Sequence, residues 1–171
     1  MKKTIKVTLA IIFTPIILLV SINLFTSRSL KTEIIIDTPS EEIWAVLMNH
    51  EAYPEWNPFI KKISGSTKPG DYLETTLQTA GNDPMNFKPV VLKNQFNEEF
   101  RWKGKLGMKG IFDGEHYFIL EEITPNKTRF IQGEKFTGLL SGLLMKMIGE
   151  DTTQGFISMN KALKTRVEEQ Q

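Results

Sequence analysis

The 171-residue sequence contains no cysteine and only two histidines. Without cysteine there is no thiol nucleophile, no thiolate metal site and no disulfide framework, which fits an oxidising compartment. The histidines, His50 and His116, lie far apart and form no His-x-x-x-His spacing, so no metal centre is expected. The glycines make neither a G-x-x-x-x-G-K phosphate loop nor a Gly-x-Ser-x-Gly elbow. No internal repeat, linker or low-complexity tract is present. These absences leave no catalytic set, and no cofactor is expected.

Basic excess is also missing from most of the chain. Of the 21 Lys and Arg residues, Lys2, Lys3, Lys6 and Arg28 fall in the first thirty positions, which hold no acid. The remainder carries 17 basic against 20 acidic side chains. Phosphate binding needs a basic footprint, so nucleic acid is excluded as an expected partner.

What is present begins with Val7 to Phe25, nineteen uncharged residues after a lysine-rich leader. Residues 1–28 read as an N-terminal membrane anchor or signal segment. No Ala-x-Ala pair follows and no cysteine is available for a lipid, so a retained single-pass anchor is the favoured expectation. The flanking charges put the N-terminus in the cytoplasm and the domain outside it; cleavage would make the domain secreted.

Residues 30–169 read as one domain. Leu30–Asp37 has the pattern of a strand, and Thr38-Pro39-Ser40-Glu41 that of a capping box opening a short helix over Ile43, Trp44, Val46 and Leu47. Tyr53-Pro54-Glu55-Trp56-Asn57-Pro58-Phe59 is a stiffened turn carrying three aromatics. Six strands are expected at 60–66, 72–79, 87–96, 99–105, 115–123 and 128–137, separated by Gly, Pro, Asn and Asp clusters. Gly138–Ile148 is a separate apolar helical stretch, divided by Gly149 from a final helix over Glu150–Glu168. In that last helix Phe156, Met159, Leu163 and Val167 share one face that a curved sheet must cover.

This order, with Ile43-Trp44-Ala45-Val46-Leu47, the Trp-Asn-Pro-Phe turn, Arg101-Trp102-Lys103-Gly104, Gly114-Glu115-His116-Tyr117-Phe118 and Gly133-Glu134-Lys135-Phe136-Thr137-Gly138, resembles the START-like SRPBCC superfamily. Within it the sequence looks most like the polyketide cyclase/dehydrase and lipid-transport group. The resemblance implies an α+β helix-grip fold, with an antiparallel sheet of about seven strands curved around the C-terminal helix and a deep apolar cavity between them. It also implies binding of a hydrophobic small molecule or lipid, though the superfamily spans carriers, receptors, cyclases and co-chaperones.

Strand alternation puts Phe100, Trp102 and Gly104 on one face, with Arg101, Lys103 and Lys105 on the other, as a solvated row or one that meets anionic headgroups. His116, Phe118 and Leu120 share a face, as do Phe130, Gln132, Glu134 and Phe136. The expected ligand-binding residues are therefore Trp56, Phe59, Trp102, His116, Phe118, Phe130, Glu134 and Phe136. Three readings stay open: membrane-tethered binding or transfer of an apolar ligand, a cyclase or dehydratase using His116 and Glu134 as acid and base, and a co-chaperone-like interaction module. Binding is favoured over enzyme activity because two polar residues do not make a catalytic site. Met145, Met147 and Met159 suit an adaptable ligand surface or plain core, and the stretch from Leu139 to Ile148 a lid, a bilayer contact or packing at the rim.

Overall fold

The computed structural model describes residues 27–79 and 81–169, together with Thr14. The proposed anchor, Val7 to Phe25, therefore lies outside the described residues apart from Thr14. Among the described residues no helix is long and apolar enough to cross a membrane.

The domain runs β1 (Arg28–Ile36), α1 (Ser40–Met48), a 3-10 turn (His50–Ala52), α2 (Tyr53–Trp56), β2 (Ile60–Gly65), β3 (Leu73–Leu77), β4 (Met85–Phe87), β5 (Val90–Gln95), β6 (Glu99–Lys105), β7 (Asp113–Thr124), β8 (Lys127–Thr137) and α3 (Ser141–Glu168). All pairings are antiparallel. A five-stranded sheet has the order β1-β8-β7-β6-β5, and β2-β3-β4 form a second sheet.

Two sheets and eight strands replace the expected single sheet of about seven. The expected strand at 87–96 is broken where Pro89, which has no N–H to donate, interrupts the ladder. The sheets stay joined through the Tyr72–Val90 bridge and bonds from Leu73 N to Pro89 O and Val91 N to Asp71 O, both 2.9 Å.

The helix start is shifted by one residue: α1 begins at Ser40, with Pro39 at the cap rather than in the first turn. Thr38 is fully buried, and its carbonyl accepts the Thr128 hydroxyl at 2.9 Å. Ile43, Trp44 and Leu47 are buried as expected, whereas Val46 is only partly covered.

The two expected C-terminal helices are one, 28 residues long and hence about 42 Å. Gly149 does not divide it, because a glycine inside a packed helix weakens it by only about 1 kcal/mol. Gly149 is itself buried, and a Cβ there would sit 3.1 Å from Met145 Cε. The stripe Phe156, Met159, Leu163 and Val167 is buried throughout against the sheet. Polar ties set its position: Asn160 Nδ2 donates to Thr32 Oγ1 at 2.9 Å, and Lys164 Nζ to Ile35 O at 2.9 Å.

A sharp corner joins β8 to α3. Gly138 has φ +110°, and a Cβ there would meet Ile111 O at 2.7 Å. The glycine thus lets the corner pack on the β6–β7 loop, where Leu139 N and Leu140 N donate to Gly110 O and Ile111 O at 2.9 Å.

Candidate functional site

The inward faces of β6, β7 and β8 carry Phe100, Trp102 and Gly104; Gly114, His116, Phe118 and Leu120; and Phe130, Gln132, Glu134 and Phe136. Register lines these residues up in rows across the sheet. Phe100 pairs with Phe118, Trp102 with His116, and Gly104 with Gly114; His116 pairs with Glu134, and Gly114 with Phe136. In the middle of the grip the rows are filled: Phe100, Phe118, Phe130, Phe156, Met159 and Leu163 are fully buried and pack together. The deep cavity expected along the helix is therefore closed by aromatic side chains.

Space opens at one end of the grip, over the paired glycines. The cavity there holds about 90 Å³ and is walled by Phe59, Trp102, Phe112, Glu134, Phe136 and Ile148, with Gly104 and Gly114 on its floor. Thr75, Leu77, Met85 and Phe87 of the second sheet, the flanking Thr79 and Pro89, Lys105 and Leu106 at the end of β6 and Thr152 of α3 complete the wall. Pockets that bury a drug-sized molecule run about 300–1,000 Å³, so this one is contracted.

Phe59 reaches the wall because of the Trp-Asn-Pro-Phe turn. The buried Asn57 side chain accepts from Phe59 N at 2.9 Å and Ile60 N at 2.8 Å through Oδ1, which folds the chain back after α2. The Phe59 ring then stands edge-on to Phe156 at 5.3 Å, over Gly155 of α3.

Glu134 is the acidic group of the cavity wall. Its Oε2 lies 3.3 Å from His116 Nδ1, and its Oε1 lies over Gly114, where a Cβ would come within 2.2 Å of it. Behind the carboxylate, the His116 ring stacks on Trp102 with centroids 4.6 Å apart and stands edge-on to Phe118 and Phe156. Gln132 Nε2 sits 3.3 Å from His116 Nε2 and 3.3 Å from Met159 Sδ. With the amide donating to Nε2, the imidazole proton rests on Nδ1 and donates to Glu134. The chain Gln132–His116–Glu134 thus presents a fixed carboxylate oxygen to a largely apolar cavity.

Of the eight residues expected to bind ligand, Phe59, Trp102, Glu134 and Phe136 line the cavity. His116 sits one layer behind, against Glu134. Phe118 and Phe130 are core at zero exposure and do not reach it. Trp56 lies elsewhere, lining a surface groove with Glu42, Ala45, Val46, Asn49, Arg166 and Val167. The expected outer row is also divided: Arg101 is held by Glu99 at 2.6 Å and Glu115 at 2.8 Å and lies over the Tyr117 ring, whereas Lys105 reaches the cavity rim. Sequence reasoning missed Gly104 and Gly114, although glycine at an inward strand position is itself a sign of close approach or open space. Among the described residues no group of three His, Asp or Glu side chains could hold a metal ion.

Fold and cavity together define an α+β helix-grip domain with an apolar pocket between sheet, hairpin and long helix. The chain belongs to the polyketide cyclase / dehydrase and lipid transport family, whose model matches residues 27–168. Comparison with curated proteins returns no match. Among solved structures it is similar to the Zhui aromatase/cyclase of Streptomyces sp. R1128, at 12% identity and TM-score 0.68 over 84% of this chain and 94% of that one. Norcoclaurine synthase of Thalictrum flavum, solved with dopamine and hydroxybenzaldehyde, is similar at 15% identity and TM-score 0.66, over 88% and 92%. A START superfamily protein of Mycobacterium smegmatis matches at 21% identity and TM-score 0.65, over 84% and 99%. At these identities the likeness is one of fold.

Proposed function

We propose that the protein binds, and exchanges with a membrane, an apolar small molecule or lipid that carries one hydrogen-bond donor. The observation that carries this reading is the Glu134 carboxylate, fixed by His116 at the wall of an otherwise largely apolar cavity. A largely apolar pocket with an oriented carboxylate selects a molecule with an apolar body and a hydroxyl or amine at its end. A ligand of that size needs a wider pocket. The β3–β4 hairpin can supply it: its Tyr72 end is bridged to the main sheet, and its turn moves outward once the exposed Asn82–Asp151 bond to α3, 3.4 Å long, opens. Residues 7–25, as a retained anchor, keep the domain where such ligands partition.

Native mass spectrometry of the full chain released from detergent tests this. A stoichiometric adduct, removed by organic solvent and absent from Gly104→Leu, is the expected result. A bare mass for both proteins would overturn it.

A second reading rests on the 3.3 Å approach of His116 to Glu134. A carboxylate backed by an imidazole can take and return a proton, as a cyclase or dehydratase requires, and the neighbours in fold include an aromatase/cyclase. Glu134→Gln separates the two: an enzyme keeps ligand and loses turnover, whereas a binding protein loses affinity.

A further inference from the structure

The first half of α3 turns some of its apolar residues away from the side that the second half buries. Phe156, Met159, Leu163 and Val167 face the core, but Met147, nine residues and hence two and a half turns before Phe156, is 68% exposed. Leu143, one turn earlier on the same side, is 59% exposed, and Leu140 is also on the surface. The β6–β7 loop, pinned to the start of α3 by the Leu139 and Leu140 bonds, adds Leu106 and Met108, the latter 73% exposed. Of these, Leu106 lines the cavity, as does Ile148 beside Met147, so the exposed apolar residues flank the cavity through the β6–β7 loop and the start of α3.

Charge is distributed unevenly around this rim. No acidic residue occurs between Glu99 and Asp113 or between Glu134 and Glu150, while those stretches contain Lys103, Lys105, Lys109, Lys135 and Lys146. None of these lysines has an ion-pair partner among the described residues. At the opposite end of the grip the cations are matched: Lys127 with Asp37 at 3.1 Å, Arg129 with Glu121 at 2.9 Å and Lys164 with Glu168 at 2.8 Å. Three acids lie among these lysines and are engaged elsewhere: Asp113, opposite Lys105, accepts from Gly110 N at 3.1 Å, Glu115, opposite Lys103 and Lys135, holds Arg101, and Glu134 faces His116 in the cavity. Asp151 lies toward the β3–β4 turn, where Asn82 bonds it.

Topology adds a third, independent observation. Strand β1 begins with Arg28 opposite Phe136, a residue of the cavity wall. The preceding chain thus enters the domain at the mouth end. Phe25, the last residue of the apolar run, is three residues from Arg28, a reach of about 10 Å when extended.

From these three observations we propose that the mouth end docks on the bilayer that holds the chain's own N-terminal segment. Leu106, Met108, Leu143 and Met147 enter the acyl region while Lys105, Lys109 and Lys146 meet anionic headgroups. The cavity then opens into lipid, and the short tether restricts exchange to the leaflet beside the anchor. This proposal rests on the anchored reading above.

The cysteine-free sequence allows a direct test on the full chain in phosphatidylcholine–phosphatidylglycerol vesicles. An environment-sensitive fluorophore is attached at Met108→Cys or Met147→Cys, with Glu122→Cys at the far end as control. The expected result is blue-shifted emission, quenched by lipid-borne nitroxide, at the first two positions and neither change at the third. Lys109→Glu with Lys146→Glu should reduce the quenching on anionic vesicles and leave it unchanged on phosphatidylcholine alone. Protein retained by the vesicles through an alkaline wash, but with water-exposed labels at both mouth positions, overturns the docking and leaves the anchor standing. Protein lost in the wash overturns both. A blue-shifted label that lipid nitroxide does not quench means that a second copy or another protein covers the patch, and overturns the bilayer as its occupant.

Discussion

Gly104 of β6 and Gly114 of β7 are directly paired on the inner face of the sheet, in the row next to Trp102 and His116. Two missing side chains in one row create the cavity. The next row, Trp102, His116 and Glu134, walls it through Trp102 and Glu134, and the row of Phe100 and Phe118 beyond is filled and fully buried.

Filling that space should abolish binding without unfolding the domain. At Gly104 a Cβ would meet only Pro89 Cβ, at 3.7 Å, an ordinary contact. Gly104→Leu should lower ligand affinity at least about tenfold, equivalent to about 1.4 kcal/mol, with little change in melting temperature. Titration of a bound apolar fluorophore measures the first and thermal unfolding the second.

Gly114→Ala should behave differently, because its Cβ falls 2.2 Å from Glu134 Oε1. The carboxylate must swing away from the cavity and from His116. Ligands bearing a donor group should weaken far more than purely apolar analogues, which a matched pair of probes would reveal.

Gly155→Ala tests the opposite wall. The new methyl would lie 2.5 Å from Phe59 Cδ2, in a ring that is 2% exposed and has little room to retreat. Destabilisation of about 1–3 kcal/mol is expected by urea unfolding, with reduced ligand affinity as Phe59 is driven into the cavity.

His50 supplies a pH dependence. Burial against Tyr53 and Phe100 pulls its pKa down from 6.5 to about 4. Above pH 6.5 the ring is neutral in both folded and unfolded chains, and its contribution to stability is fully present. As pH falls from 6.5 toward 4 the unfolded chain takes up a proton that the folded one refuses, and about 2–3 kcal/mol is lost. Urea unfolding at pH 8 and pH 4.5 should show this loss in the natural protein and much less of it in His50→Leu. A His50 NMR titration centred near 6.5 would refute the assignment.

Local rules made much of the fold readable. Alternation assigned the inward faces of β6, β7 and β8 correctly, because each strand is buried on one side. The stripe from Phe156 to Val167 was legible for the same reason. What escaped was set by tertiary packing: Gly149 looks like a helix end until the neighbours that bury it are known. Lys88-Pro89 looks tolerable in a strand until the partner that needs its N–H is known. Alternation also assigned His116, Phe118, Phe130 and Glu134 one shared face without saying how far along it the space lies. Only the register, which brings Gly104 opposite Gly114, places the cavity at Glu134 and leaves Phe118 and Phe130 in the core.

The pairing of β1 with β8 joins the first strand to the last, with Arg28 opposite Phe136 and Ile36 opposite Thr128. During synthesis β1 leaves the ribosome roughly a hundred residues before its partner exists, and pairing over such a separation is slow. Until then its Ile34, Ile35 and Ile36 have no sheet to join and form an apolar, β-prone segment open to wrong partners. The domain therefore cannot close stepwise from its N-terminus. Its nascent chain is a natural client for a holding chaperone until β8 and α3 emerge to close it.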